Sequence, residues 1–350
     1  MNIVRVALAV PLPRFFDYLY SPDLTPIVGG RVLVPFGSQK RVGIVVDLPA
    51  SSDVAKEKLK PIIDVLDAES LFNSTMWDWL AWSANYYRAA LGDVLFQALP
   101  VKLRNGESAV KNDRTFWRIT DLGKQALESG ELKRAKKQIE ALSLLLTQDL
   151  EKGNNEISSA IWSALKGKDY VEEIIVPTEQ KSWQQALGDN PLVNLDNRLT
   201  LNKQQALAFS QLLFQEGFNV WLLEGVTGSG KTEIYLQYIE EVLKKGKQVL
   251  VLVPEIGLTP QTVRRFQARF NVEIDVLHSN LNDTQRLNVW ERARTGQSAI
   301  VIGTRSALFT QFSDLGLIIL DEEHDSSFKQ QDGWRYHARD LGIVLAQKLN

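Results

Sequence analysis

A glycine-rich loop that ends in lysine and threonine is the clearest chemical signal of this chain. It fits the pattern G-x-x-x-x-G-K-[ST] and reads Gly225-Val226-Thr227-Gly228-Ser229-Gly230-Lys231-Thr232. In such a loop the backbone N–H groups surround phosphate oxygens, the lysine reaches the β- and γ-phosphates, and the threonine hydroxyl holds Mg²⁺. An apolar run, 220–223, precedes it and a helix-like stretch, 233–243, follows, which is the context the motif requires. We therefore predict a nucleoside triphosphate site, the alternative being a chance glycine turn.

An acidic cluster follows a second apolar run. Residues 315–320 lead directly into Asp321-Glu322-Glu323-His324. Carboxylates at the carboxyl end of a buried strand are the expected partners of a phosphate loop. We predict that Asp321 orients Mg²⁺ through water and that Glu322 polarises the attacking water as general base. With Lys231 they form the predicted catalytic set, and an exposed acidic turn is the alternative.

The last part of the chain, from about 196 to 350, has the alternation that would position these residues. Apolar runs separated mostly by amphipathic segments lie at 220–223, 249–253, 274–277, 299–302 and 315–320. This alternation predicts an α/β lobe with a parallel sheet and helices on both faces. Near-continuous runs such as 249–253 are typical of strands buried on both faces.

Residues 1–105 show a different pattern. Short β-like runs at 3–8, 31–34 and 42–46 predict a small β-barrel or sandwich. A helix is predicted over 74–89, capped by Asn73 or Ser74. It carries an aromatic group that we expect to pack in the core: Trp77, Trp79, Trp82, Tyr86 and Tyr87.

Residues 106–195 are more polar, and short helical segments end in a β-like run at 171–176. This order predicts a winged-helix-like domain. The basic residues within 133–137 could contact phosphates or form a solvated helix face, and the sequence favours neither.

Composition sets outer limits. The 350 residues carry a net charge of −2 and contain three histidines and no cysteine. The absence of cysteine excludes disulfides and thiolate metal sites within these residues. No apolar stretch approaches the roughly 20 residues of a membrane span, and the N-terminus does not resemble a signal peptide. We expect a cytoplasmic protein without a membrane partner.

Together with the phosphate loop, Asp321-Glu322-Glu323-His324 resembles motif II of the superfamily 2 helicases. The segment 201–205 resembles their adenine-reading segment, with Gln205 as the matching glutamine. Residues 254–261 resemble motif Ia and 303–306 motif Ib, in which Thr304 and Arg305 would contact a DNA backbone.

Longer segments are similar to the PriA family of replication-restart helicases within that superfamily. Residues 225–233, 253–261 and 321–327 match its motor motifs, and 328–340 resembles its aromatic-rich loop. There Trp334 and Tyr336 could stack on bases while Arg335 and Arg339 meet phosphates. Residues 10–18 and 32–37 resemble the family's domain for DNA 3′ ends, whose pocket would contain Phe16, Asp17, Gly37 and Lys60.

The resemblance implies a RecA-like helicase lobe over 196–350 and an ATP- and Mg²⁺-dependent 3′-to-5′ DNA helicase. Such an enzyme recognises stalled or branched forks, starts primosome assembly and is nucleoid-associated. Expected partners are forked or single-stranded DNA, PriB, DnaT and single-strand-binding protein. The family chain continues with a zinc-binding insertion and a second motor lobe, so we expect impaired hydrolysis here and zinc only in that further part.

Two other functions stay open. The chain could be a different superfamily 2 nucleic-acid translocase. It could also be a non-catalytic fork-DNA-binding fragment that acts through residues 1–105.

Overall fold

The chain folds into two compact units, one of them discontinuous in sequence. The computed structural model describes residues 2–350 apart from positions 11, 109–113, 130, 131, 133, 134, 153–156, 177–179, 214–216 and 227. The first unit combines Met1–Ala109 with Lys181–Asn350, and the second is Val110–Gln180. No helix in the described ranges is long and apolar enough to cross a membrane.

An antiparallel five-stranded sheet in the order β2-β1-β4-β3-β5 forms the N-terminal part of the first unit. Its strands are β1 (Asn2–Ala7), β2 (Phe16–Tyr20), β3 (Arg31–Phe36), β4 (Gln39–Asp47) and β5 (Asp64–Val65). Valines on alternate positions of β1 and β3 are fully buried, as expected for a half-buried strand pattern. The predicted β-rich N-terminal region is confirmed.

Backbone hydrogen bonds of residues 60–63 close this sheet into a small barrel. The Leu19 N–H of β2 donates to the Lys60 carbonyl at 2.9 Å, and the Ile62 N–H donates back to Leu19 at 2.8 Å. On the other side the Ile63 N–H donates to Leu33 of β3 at 2.8 Å. The segment therefore lies between β2 and β3 and leaves neither edge open there.

Three helices follow the barrel: α1 (Ser74–Tyr86), α2 (Leu91–Gln97) and α3 (Val101–Arg104). Asn73 caps α1, because its side-chain oxygen accepts from the Met76 N–H at 2.8 Å. The helix ends three residues earlier than predicted, just before Arg88 takes a positive φ of 54°. The core prediction for its aromatic residues is confirmed for Trp79, which is buried, and wrong for Tyr86, which is 60% exposed.

The second unit has a small antiparallel sheet in the order β7-β6-β8 with helices packed on it. Its elements are β6 (Arg114–Ile119), α4 (Asp121–Glu128), α5 (Lys136–Leu145), β7 (Leu150–Glu151), α6 (Ser159–Lys166) and β8 (Val171–Val176). Trp117 and Trp162 stack in its core, with ring centroids 5.3 Å apart. Within the basic run, Lys133 and Arg134 lie outside the described residues, and Lys136 and Lys137 are exposed.

A parallel sheet in the order β10-β11-β9-β12 forms the rest of the first unit. Its strands are β9 (Gln248–Leu252), β10 (Ile274–Leu277), β11 (Ile300–Gly303) and β12 (Leu315–Leu320). The helices are α7 (Trp183–Leu187), α8 (Lys203–Leu213), α9 (Lys231–Lys244), α10 (Pro260–Arg269), α11 (Asp283–Arg294) and α12 (Ala338–Leu349). Every residue of β9 is buried, as its near-continuous apolar sequence predicts.

The strand predicted at 220–223 is wrong. This run has no regular structure, and Val220 and Leu222 are 57% and 74% exposed. In the described part of the sheet β12 is paired with β9 alone, so its second edge has no strand beside it. Apolar composition favours a strand only where a neighbouring edge supplies hydrogen bonds and packing, and this run has not taken up such a position.

Candidate nucleotide and nucleic-acid sites

The phosphate-loop sequence lies immediately before α9, as predicted. Gly230 is the N-cap of that helix with a φ of 83°, and Gly228 has a φ of 81°. Side chains other than glycine rarely adopt such angles, so the backbone itself requires these glycines. Thr227 lies outside the described residues. The helix N-terminus and the open glycine backbone together form a cradle suited to an anion.

Lys231 lies across this loop. Its Nζ donates to the Gly225 carbonyl at 2.6 Å and, at 3.5 Å, to that of Val226. A Cβ on Gly225 would come within 2.7 Å of the Ser229 hydroxyl, so the loop is tightly closed at this position and a larger residue would require Ser229 to move. The ammonium group therefore already stands beside the cradle, where it adds positive charge to the helix N-terminus.

Gln205 contacts the phosphate loop directly. Its Nε2 donates to the Ser229 carbonyl at 2.8 Å, and its Oε1 accepts from the Asn202 N–H at 2.9 Å. The Asn202 side chain accepts in return from the Gln205 N–H, which is the reciprocal pattern of a helix capping box. Both ends of the Gln205 amide are thus engaged here, and its reading of adenine stays a prediction.

The acidic cluster begins where β12 ends, at the carboxyl edge of the parallel sheet. The Asp321 N–H still donates to the Leu252 carbonyl of β9, at 2.9 Å. Glu322 has a positive φ of 49° and is exposed. A non-glycine residue in that conformation carries a strain of about 1–3 kcal/mol, and such strain clusters at functional sites. The Glu322 side chain is therefore accessible to solvent, and its role as general base stays a prediction.

Tyr235, which sequence reasoning missed, connects the two sides of the site. It lies on α9 one turn beyond Lys231, and its hydroxyl donates to Oδ2 of Asp321 at 3.2 Å. Burial raises the pKa of Tyr235 well above its usual range, the Asp321 charge adds to this, and a hydrogen bond from Thr232 opposes it. A polar residue four positions after the lysine was the available signal, because such residues share one face of a helix.

The residues present fit a magnesium-nucleotide group. In the described residues no three Asp, Glu or His side chains cluster as a protein metal site. Mg²⁺ bound with a nucleotide does not need such a cluster, since phosphates and water supply most of its ligands. Of the predicted magnesium residues, Asp321 accepts a hydrogen bond from the Tyr235 hydroxyl, and Thr232 lies on the same helix as Tyr235, in its first turn.

A buried ion pair fixes the start of α9 to the helix that follows the motif Ia segment. The Arg269 guanidinium, at the end of α10, donates to Glu233 at 3.0 Å and to the Asn197 carbonyl at 2.8 Å. Gln237 donates to the same Glu233 oxygen at 2.9 Å. Buried charges are tolerated when paired and hydrogen-bonded in this way. Glu233, the residue after Thr232, is therefore held by both Arg269 and Gln237.

Arg305, predicted to contact a DNA backbone, instead contacts protein in this structure. Its NH1 donates to the carbonyl oxygens of Ser327 and Lys329, each at 2.8 Å. Thr304 occupies the N-cap position of the short 3₁₀ helix that contains Arg305, without a capping hydrogen bond from its side chain. The guanidinium thus organises the segment after the acidic cluster, and the predicted phosphate contacts of Thr304 and Arg305 stay predictions.

The two aromatic residues predicted to stack on bases are buried. Trp334 is 3% and Tyr336 2% exposed. Their rings pack on Phe309 at 5.4 and 5.1 Å, and Trp334 also meets Tyr87 of the N-terminal part at 6.5 Å. In this structure neither ring is open to a base, so stacking requires the rings to leave this packing.

The two arginines predicted beside these rings are exposed. Arg339 pairs with Glu323 at 2.7 Å, which joins the aromatic-rich segment to the acidic cluster. Arg335 accepts a hydrogen bond from the Lys329 ammonium through its backbone carbonyl, at 2.7 Å. Its side chain is therefore the more accessible cation of the pair.

On the barrel, Phe16 and Gly37 are brought together by Phe36. The Phe16 and Phe36 rings meet edge to face with centroids 5.2 Å apart, and Gly37 follows Phe36 in the β3–β4 turn with a φ of 60°. Arg14 lies over the Phe16 ring at 5.0 Å and Arg41 over the Phe36 ring at 5.5 Å. Aromatic faces flanked by cations are suited to a base and its phosphate.

Asp17 is held rigidly beside them. Arg5 donates to both of its oxygens, at 2.8 and 3.0 Å, and the Ser52 hydroxyl donates at 2.6 Å. The Arg5 hydrogen bonds, and then that of Ser52, hold the pKa of Asp17 below its usual value, although burial opposes them. A carboxylate accepts about four hydrogen bonds, so Asp17 keeps capacity for one more donor. Lys60 is close in the fold through its backbone bond to Leu19, and it is exposed.

Comparisons with known proteins match the two regions of the chain that contain these sites. Residues 5–100 match the 3′ DNA-binding domain (3′BD) of PriA, and residues 202–348 match the DEAD/DEAH box helicase family. The chain contains a PriA 3′ DNA-binding domain and a DEAD/DEAH box helicase domain. The resemblance predicted from the motifs is therefore confirmed at the level of these domains.

Whole-chain similarity extends this finding. Replication restart protein PriA of Haemophilus influenzae is 77% identical over all of this chain and 48% of its own length. The PriA of Buchnera aphidicola subsp. Acyrthosiphon pisum is 36% identical over 99% of the chain and 47% of its own length. That of Bacillus subtilis is 29% identical over 99% and 52%. The chain spans about half the length of these relatives.

Proposed function

We propose that this chain binds ATP with Mg²⁺ and DNA with a free 3′ end, as part of an ATP-dependent 3′-to-5′ DNA helicase. The enzyme would recognise stalled or branched replication forks and initiate primosome assembly for replication restart. One observation carries the proposal most directly. Helix α9, which begins at the phosphate loop, is joined to Asp321 at the end of β12 by the Tyr235 hydroxyl, at the carboxyl edge of a parallel sheet.

Each residue of the nucleotide site has a proposed task. Lys231 and the N–H groups of the loop, 225–232, bind the phosphates, and Thr232 and Asp321 hold Mg²⁺. Glu322 accepts a proton from the attacking water, and Gln205 contacts the adenine. Bound ATP would supply the electrophilic γ-phosphate, and Mg²⁺ would neutralise its negative charge. The anchoring of Glu233 by Arg269 supports a rigid placement of Thr232.

The DNA contacts are proposed on two surfaces. On the barrel, Phe16 stacks on the terminal base, Asp17 accepts from the 3′-hydroxyl, Gly37 permits close approach and Lys60 faces phosphate. On the helicase lobe, Thr304, Arg305 and Arg335 contact the backbone of one strand. Trp334 and Tyr336 would stack on bases after leaving their buried positions.

The remaining features belong to the same proposal. The middle unit is proposed to be winged-helix-like, which its helices and small antiparallel sheet support. PriB, DnaT and single-strand-binding protein are proposed partners, and a nucleoid-associated cytoplasmic location follows from them. Helicase ATPases hydrolyse between two lobes, so we propose slow hydrolysis by these 350 residues alone.

Nucleotide and fork binding by Lys231→Ala tests this function. We expect loss of ATP binding, measured with a fluorescent analogue, and unchanged affinity for forked DNA. Lys348→Ala, an exposed lysine on α12, is the matched control and should change neither. A wild-type chain that binds forks but no nucleotide would be a fork-binding fragment without a motor. Preference for an RNA duplex over forked DNA would favour another superfamily 2 translocase.

A further inference from the structure

The hydroxyl of Tyr235 donates to Asp321, to which the proposed function gives a role at the metal. We propose that Tyr235 is a positioning residue of the magnesium site, which holds Asp321 in place for a metal-bound nucleotide. This inference rests on the proposed nucleotide function and adds to it a residue outside the phosphate-loop and acidic motifs. Tyr235 itself touches neither the metal nor the phosphates.

The ring of Tyr235 is held in place by packing, independently of its hydroxyl. It projects from α9 and stacks on the buried ring of Phe266 in α10, with centroids 6.3 Å apart and planes 23° from parallel. The α9 backbone around it is anchored by the Glu233–Arg269 pair at 3.0 Å. A side chain held on both sides loses little freedom when its hydroxyl bonds a partner, so it can place that partner accurately.

The hydroxyl then selects one orientation of the Asp321 carboxylate. It donates to Oδ2 at 3.2 Å, whereas Oδ1 makes no hydrogen bond to a described residue. One oxygen is thus held by protein, and the other is left for a metal-bound water. Outer partners that orient a metal-binding carboxylate in this way typically contribute about 10- to 100-fold to metal affinity.

Binding of a fluorescent ADP analogue with and without Mg²⁺ tests the proposal on the 350-residue chain. Tyr235→Phe keeps the ring on Phe266 and removes only the hydroxyl. We expect about a tenfold or larger loss of the Mg²⁺-dependent gain in affinity. Affinity in EDTA should stay within about twofold of wild type, since the loop itself is intact. A purely structural defect would lower both affinities together.

Tyr238→Phe is the matched control. It removes a hydroxyl one turn further along α9 that makes no hydrogen bond to a described residue, and it should leave both affinities unchanged. An undiminished Mg²⁺ effect in Tyr235→Phe, or an equal loss with and without metal, would overturn the proposal. If the wild-type chain binds no nucleotide, the proposed function fails instead, so the two failures are distinguishable.

Discussion

The indole N–H of Trp79 donates to the backbone carbonyl of Leu341 at 2.9 Å, with both groups buried. The bond joins α1, which follows the DNA-binding barrel, to α12 of the helicase lobe. Near it, the Tyr87 hydroxyl accepts from the His337 N–H at 3.2 Å, and Trp79 packs on Phe309 at 5.7 Å. The two domains are thus joined by a packed and hydrogen-bonded interface beside the aromatic-rich segment.

Trp79→Phe should therefore destabilise the first unit by about 2–4 kcal/mol, because it removes a buried hydrogen bond and opens a cavity. Urea unfolding followed by circular dichroism measures the change. Trp82→Phe, on the half-buried side of α1 where Trp82 stacks on Tyr86 at 4.8 Å, is the control and should cost much less. Equal losses in both variants would show that the buried bond contributes little.

The left-handed backbone of Glu322 gives a second prediction. Asparagine tolerates a φ near 49°, whereas a β-branched side chain does not. Glu322→Asn should leave the free energy of unfolding within about 0.5 kcal/mol, and Glu322→Val should lower it by about 1–2 kcal/mol. Thermal unfolding of both variants checks this. Equal stability of the two would mean that this turn is not retained in solution.

The Arg5–Asp17 pair makes barrel stability depend on pH. Because the pKa of Asp17 is lowered in the folded chain, its contribution is present above the unfolded value of about 4 and is lost as pH falls through the folded value. Asp17→Asn should be less stable than wild type at pH 7, and this difference should shrink below about pH 4. Urea unfolding at several pH values measures it.

Asp189→Asn is the comparison for that experiment, since Asp189 is exposed and makes no ion pair with a described residue. Its free energy of unfolding should match that of wild type at every pH tested. A difference between wild type and Asp17→Asn that persists unchanged at low pH would assign the effect to packing rather than charge.

Arg14 and Arg41, which lie over the paired rings of Phe16 and Phe36, should contribute phosphate contacts at the 3′-end site. Arg41→Gln is expected to weaken binding of single-stranded DNA and to reduce the slope of log affinity against log salt by about 1. Fluorescence anisotropy at several salt concentrations measures the slope. Lys58→Gln removes an exposed lysine for which no contact with either ring is found among the described residues, and it should keep the wild-type slope.

Local patterns predicted much of the fold. The parallel strands after residue 248, the Asn73 cap and the phosphate loop before α9 all follow from short stretches of sequence. Strand β2 was missed, although its Phe-Asp-Tyr-Leu-Tyr sequence is rich in strand-forming aromatics. The run 220–223 was assigned to a strand because periodicity measures apolar character and cannot tell whether a sheet edge lies beside it.

The site was less predictable where contacts between residues distant in sequence determine the position of a side chain. The motif gave Lys231, Thr232 and Asp321, but Tyr235 becomes visible only when α9 and β12 are brought together. Trp334 and Arg305 were assigned to DNA because their segments resemble the aromatic-rich loop and motif Ib. Their positions instead depend on Phe309, Ser327 and Lys329, whose proximity no sequence spacing reveals.

The discontinuous first unit has a consequence for biosynthesis. Trp79 leaves the ribosome 262 residues before its partner Leu341. At about 5–20 residues per second the delay is on the order of ten seconds or more. The apolar surface of α1 therefore stays exposed to solvent while the entire middle unit is translated. Nascent chains stalled in that interval should bind molecular chaperones preferentially.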